Sequence, residues 1–261
     1  MHQDRKAVVS GVLRWLVPLL ISAVAVIFLS QKVDLRAVGQ AFQKISLNTI
    51  LLIVLLYFSG HLLRVLCWYV ILDGKFPFKM VFYGMSAGYL LNNVLPLRLG
   101  EFGRALLLSG KGKDHAGFME VFASIITERM LDVFLAAFFF LLTLSLIVGQ
   151  NSLRVAAIVI FILIVVIMVA AAIAAAHKEK ILASLETRWA DKPKRLEKAL
   201  PKIEEFLTGF RFLLKPKQLI LALALLASSW AFCIGEFTVL QQELLSSSRW
   251  WWGAFVALAG A

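Results

Sequence analysis

Two cysteines are all that the 261 residues contain, Cys67 and Cys233, and both lie inside apolar runs, so neither a disulfide framework nor a redox centre is indicated. Charge is scarce too. Asp, Glu, Lys and Arg make up 16% of the chain, against about a quarter in a water-soluble domain. There is no CxxC pair, no glycine-rich phosphate loop ending in Lys-Ser/Thr, no His/Glu metal cluster and no nucleophile elbow at a strand-to-helix turn. Redox, nucleotide-driven, metal-dependent and hydrolytic chemistry therefore lack their usual signatures. No cofactor and no metal is expected.

What the chain has in abundance is apolar sequence: 61% of residues are hydrophobic and the mean hydropathy is +0.84. It comes in continuous runs at 13–30, 47–72, 130–148, 155–176 and 219–240, with the third span extended back to 118. Each run is near the roughly 20 helical residues that cross a hydrocarbon core. None alternates with a period of two, so helices are favoured over a barrel. The expected fold is all-α, a polytopic helical membrane protein in a single transmembrane domain over residues 1–261. The first run follows Arg5, Lys6 and Arg14, but no small-x-small cleavage site follows it before Gln31 and Lys32, so it reads as an uncleaved span. Residues 250–261 are apolar but too few to span, and the chain is expected to be part of a longer protein.

The formal charge of +11 would suggest nucleic acid in a soluble protein, yet its distribution points to a membrane surface. Eleven of the 27 Lys and Arg residues fall between Lys178 and Lys217. Basic loops stay on the cytoplasmic side, beside anionic headgroups. Within 177–217 the residues Leu196, Leu200, Ile203, Leu207, Phe210 and Leu214 mark one helical face, broken by Pro193 and Pro201. The expectation is an amphipathic helix on the membrane surface, the alternative a helix packed on a partner or on its own bundle.

Segment 80–108 is different. It is apolar overall but contains Gly84, Ser86, Gly88, Asn92, Asn93, Pro96, Arg98, Gly100, Glu101, Gly103 and Arg104. Irregular backbone survives at membrane depth only under cover of protein or water, so a re-entrant or broken-helix segment is expected, with Pro96 in the first turn of a half-helix. Loop charge alone leaves re-entry and a full crossing equally good; the polarity of the segment favours re-entry.

Charges at bilayer depth cost roughly 2.5–3.5 kcal/mol each, which makes every one a functional candidate. Arg98, Glu101 and Arg104 stand three residues apart and follow one helix face with net positive charge. Beside a helix N-terminus they describe an anion site, the arginine fork matching phosphate. Glu128, Arg129 and Asp132 form a second cluster, able to answer Arg98 or Arg104 as an internal charge network. His61 and Arg64, one turn apart, and Glu236, with no partner in its own helix, are further possibilities.

The pattern Asn92-Asn93-x-x-Pro96-x-Arg98-x-Gly100-Glu101-x-x-Arg104, followed by Glu128-Arg129-x-x-Asp132, resembles the lysylphosphatidylglycerol synthase transmembrane region, or flippase-like domain family. The resemblance covers nearly the whole chain. It implies a domain of a prokaryotic cytoplasmic membrane that moves lipids between leaflets, here without the synthase domain, so transport is expected rather than covalent catalysis. Asn92, Asn93, Pro96, Arg98, Gly100, Glu101 and Arg104 would then handle an anionic phospholipid or lipid-linked phosphate. The expected partners are membrane lipids and either further copies of the chain or a lipid-modifying enzyme, with no nucleic acid. The rival readings are a membrane-embedded transferase with Glu101 or Asp132 as general base, and a non-transporting partner subunit.

Overall fold

The computed structural model describes residues 35–94, 99–112, 116–147, 151–189 and 199–245. Among these residues the secondary structure is helical throughout, with no strand. The chain divides into two compact units, residues 1–50 and 51–261. In the first unit, α1 (Leu35–Lys44) precedes the start of α2 (Leu47–Ile71). Ser46 caps α2, its Oγ accepting the Thr49 N–H at 3.2 Å. The expected span 13–30 lies outside the described residues, as do 250–261.

The second unit holds the rest of α2, then α3 (Phe78–Val94), α4 (Gly100–Leu108), α5 (Phe118–Ile147), α6 (Asn151–Ala176), α7 (Lys178–Trp189), α8 (Leu200–Gly209), a 3-10 turn (Phe210–Leu214) and α9 (Pro216–Leu245). Asp73 and Gly74 stop α2 by taking left-handed backbone, with φ of 56° and 67°. Three helices among the described residues are long and apolar enough to cross a membrane: Leu47–Ile71, Ile158–Ala176 and Pro216–Leu244. Their outward faces are greasy, with Leu55 63%, Ile162 55% and Ile220 67% exposed. Such faces are anomalous in water and ordinary against lipid.

Helices α3 and α4 form an antiparallel hairpin. Gly84 faces Leu108, Gly88 faces Arg104, and Asn92 faces Gly100, so the pairing runs in opposite directions along the two helices. A Cβ on Gly100 would overlap the Gly88 carbonyl and the Asn92 side chain. Glycine at this contact lets two backbones approach closely, the usual means of packing helices where no hydrophobic force drives them together. The hairpin also closes at its base, where Gly112 packs against the Lys75 carbonyl and the Phe76 ring. The segment thus leaves and returns at one end, the geometry of a re-entrant element.

That end collects polar ties between helices. Lys75 pairs with Glu120, and Lys215 with Asp73, which also accepts from Gln218 Nε2 at 2.8 Å. The Lys215 hydrogen bond holds the Asp73 carboxyl below the usual carboxylate range. Lys178 reaches Glu204 at 3.0 Å, and the Met119 N–H donates to Glu205 at 3.3 Å. The end of α2, the starts of α5 and α9, and helix α8 therefore share one end of the unit.

In the 177–217 loop part of the apolar stripe packs on the chain's own bundle, the alternative to a surface helix. Pro201 sits in the first turn of α8, where a proline starts a helix and does not break it. Leu207, Phe210 and Phe212 are buried, and Gly209 packs directly on Ala123 and the Glu120 backbone. Of the apolar stripe, Leu207 and Phe210 are covered by the bundle, while Leu214 stays 43% exposed. Pro193 and Leu196 lie outside the described residues.

Candidate functional site

Halfway along α5, three charged residues meet neighbours from three other helices. Asp132 accepts from Arg64 Nη1 of α2 at 2.9 Å, from Arg129 Nη1 at 3.2 Å and from Trp230 Nε1 of α9 at 2.9 Å. Arg129 also lies 3.2 Å from Glu101 of α4 and 3.6 Å from Glu128. Behind it, Arg104 Nη2 meets Glu128 Oε2 at 2.6 Å, and both side chains are almost wholly buried, at 2% and 0% exposure. The Arg104 guanidinium lies 3.9 Å from the centre of the Trp68 ring, whose indole N–H donates to Ser124 at 3.1 Å.

Three arginines therefore face three carboxylates, so the network is balanced among the described residues. It is not fully satisfied. Arg104 Nε, Glu128 Oε1 and Arg129 Nε are buried without a hydrogen-bond partner, although Arg129 Nε and Glu128 Oε1 lie within ion-pair range of opposite charges. Off-axis contacts of this kind keep Coulomb attraction while leaving hydrogen-bonding capacity unused.

Beside this network is an open cavity of about 560 Å³. Its wall takes His61 and Arg64 from α2, Asn92 and Asn93 from the end of α3, and Glu101 from the start of α4. Arg129 and Asp132 complete it from α5, with Ser229, Trp230, Cys233 and Glu236 from α9. Sequence candidates spread over 176 positions, from 61 to 236, thus face one space. His61 Nε2 shares a 3.1 Å hydrogen bond with Ser86 Oγ, and its ring is flanked by Tyr57, Phe82 and Tyr89. Ser86 stands in Gly84-Met85-Ser86-Ala87-Gly88, the letter pattern of a nucleophile elbow, but in the middle of α3 and not at a strand-to-helix turn.

Two expectations change here. Arg104 was grouped with the phosphate-facing residues, but its guanidinium is enclosed by Glu128 and Trp68 and does not line the cavity. The half-helix was placed from Pro96, whereas α4 begins at Gly100, whose N–H already donates to Asn92 Oδ1 at 2.7 Å. Glu101 in the first turn supplies negative charge to that helix end, so the chain itself occupies the position foreseen for an anion. Pro96 and Arg98 lie outside the described residues. Trp230 and Cys233 are among the wall residues the sequence left unmarked as functional, with Tyr57, Tyr89 and Ser229. The one available signal for Trp230 and Cys233 was their position one turn apart, with Glu236 one turn further on.

A helical membrane unit with a re-entrant hairpin and a polar cavity at its middle defines an integral membrane protein. A family profile described as the lysylphosphatidylglycerol synthase TM region matches residues 15–241. The chain belongs to that family, which makes it a lipid-handling membrane protein. No curated protein and no solved structure matches it.

Proposed function

We propose that the protein is a lipid translocase that admits the headgroup of an anionic phospholipid or lipid-linked phosphate to the central cavity while the tails stay in the bilayer. The observation that carries the proposal is the wall itself: ionisable and amide side chains from five helices around about 560 Å³ at the middle of a lipid-facing unit. Groups of that kind are costly at membrane depth and mark substrate paths. Arg64 and Arg129 are the cationic contacts for phosphate, each offering a planar fork. Glu101, Asp132, Asn92 and Asn93 meet the headgroup's other polar atoms.

The end carrying Lys75, Lys178, Arg211 and Lys215 faces the cytoplasm in this reading, because basic loops are retained there, and the membrane is a prokaryotic cytoplasmic membrane. With no nucleotide motif, the lipid gradient, the membrane potential or protons drive movement. A potential of 100 mV is worth about 2.3 kcal/mol per elementary charge.

Reconstitution in liposomes with labelled phospholipid tests the proposal. Arg129→Ala and Glu101→Ala are expected to slow lipid movement in protein that folds normally. Wild-type rates in both variants would overturn it, and recovery of lipid with altered covalent structure would point to a transferase instead.

A further inference from the structure

The five ionic side chains on the cavity wall are not equivalent. Arg64, Arg129, Glu101 and Asp132 all belong to one ion-pair network. Glu236 faces the same cavity with no hydrogen bond or ion pair to any described residue. It lies in the apolar helix Pro216–Leu244, ahead of the polar Gln241 and Gln242.

We infer that Glu236 is a proton-binding site, and that binding and release of its proton accompany each passage of a lipid headgroup through the cavity. The inference rests on the translocase reading for its coupling and on geometry alone for the site. A carboxylate within a membrane-spanning helix that has no partner among the described residues marks a proton path. The opposing groups set the contrast. From α2, Arg64 is paired with Asp132, and His61 shares its Nε2 with Ser86. From α4 and α5, Glu101 and Arg129 contact each other. Tyr57, Tyr89 and Cys233 also line the cavity. Glu236 is thus the wall carboxylate free to exchange a proton with cavity water: hydronium gives its proton to the carboxylate oxygen, and the return step restores it. Neutralising Glu236 lowers the negative charge of the wall by one, favouring an anionic headgroup. Release of the proton restores that charge and favours its departure.

The test is modification of the full chain in lipid nanodiscs by a hydrophobic carbodiimide, which consumes the protonated carboxyl and leaves an N-acylurea detectable by peptide mass spectrometry. Glu236 is expected to be labelled, with yield falling about tenfold per pH unit above its midpoint, while Glu101 and Asp132 stay unlabelled. An unlabelled Glu236, or labelling independent of pH, overturns the inference. The measurement uses wild-type protein, so it does not depend on Glu236→Gln folding. Lipid movement without labelling removes the proton site and spares the translocase reading; labelling without lipid movement keeps the site and removes translocation.

Discussion

Arg104 and Arg129 sit on facing helices of one charge network, yet their surroundings are opposites. Arg104 is 2% exposed, clamped between Glu128 and Trp68, with a single strong ionic partner. Arg129 is 27% exposed, lines the cavity and lies 3.2 Å from Glu101, 3.2 Å from Asp132 and 3.6 Å from Glu128. A buried arginine with one well-aligned partner holds the hairpin to α5. An arginine divided among three partners exchanges one for another at smaller cost than one held by a single buried partner. Burial and partner geometry, not residue type, set the two apart.

The comparison breaks first at the sealed pair. Glu128→Ala leaves Arg104 charged and enclosed, and is expected to cost about 3–5 kcal/mol of stability, read as a loss of folded protein in detergent melts. Arg104→Met combined with Glu128→Leu is expected to recover most of that, since removing both charges removes the desolvation burden. A Glu128→Ala protein as stable as wild type would show that the pair fastens nothing.

Next is the contact that positions Glu101 and Arg104. Gly100→Ala drives a methyl group into the Gly88 carbonyl and Asn92. It is expected to cost about 1–3 kcal/mol and to impair lipid movement by shifting Glu101. Cysteine labelling of Lys111→Cys from each side of the membrane then checks whether the hairpin still returns to its starting side.

On the open side, Arg129→Lys keeps the charge and loses the fork. The expected result is near-native melting with lipid movement slowed about tenfold, equivalent to about 1.4 kcal/mol. Equal slowing and destabilisation would erase the distinction from Arg104.

The smallest effect belongs to the exposed end. Asp73→Asn removes the contact with Lys215, worth at most about 1 kcal/mol for so exposed a pair. The carboxyl is lowered in the folded state, so its contribution is present above its ordinary value of 3.8 and disappears as pH falls through the lowered folded value. Melting curves of wild type and Asp73→Asn should therefore converge in acid and separate slightly near neutral pH.

Much of this was legible in sequence order. Runs of apolar residues require helices because no water reaches the backbone in lipid. The glycines and polar residues of 80–108 announced a break in such a helix, and α3 and α4 flank one. The charges of α5 had to face inward, and they do. The choice of partner was not legible. Spacing placed Glu101 beside Arg104, but α4 starts at Gly100 and turns the two to different neighbours, Glu101 to Arg129 and Arg104 to Glu128. The stripe through Leu207 and Phe210 read as lipid-facing, with packing on protein as the alternative, because periodicity records that a face is apolar and not what covers it.

The sequence by itself determined that this chain lives in a bilayer, that its backbone is helical, and that its arginines and carboxylates at depth must find one another. Those follow from the cost of bare polar groups in hydrocarbon, which is local and counts residues one at a time. Only the tertiary structure decided which arginine is enclosed and which lines the cavity, and which carboxylate is left unpaired, because those outcomes depend on distances between helices remote in the chain.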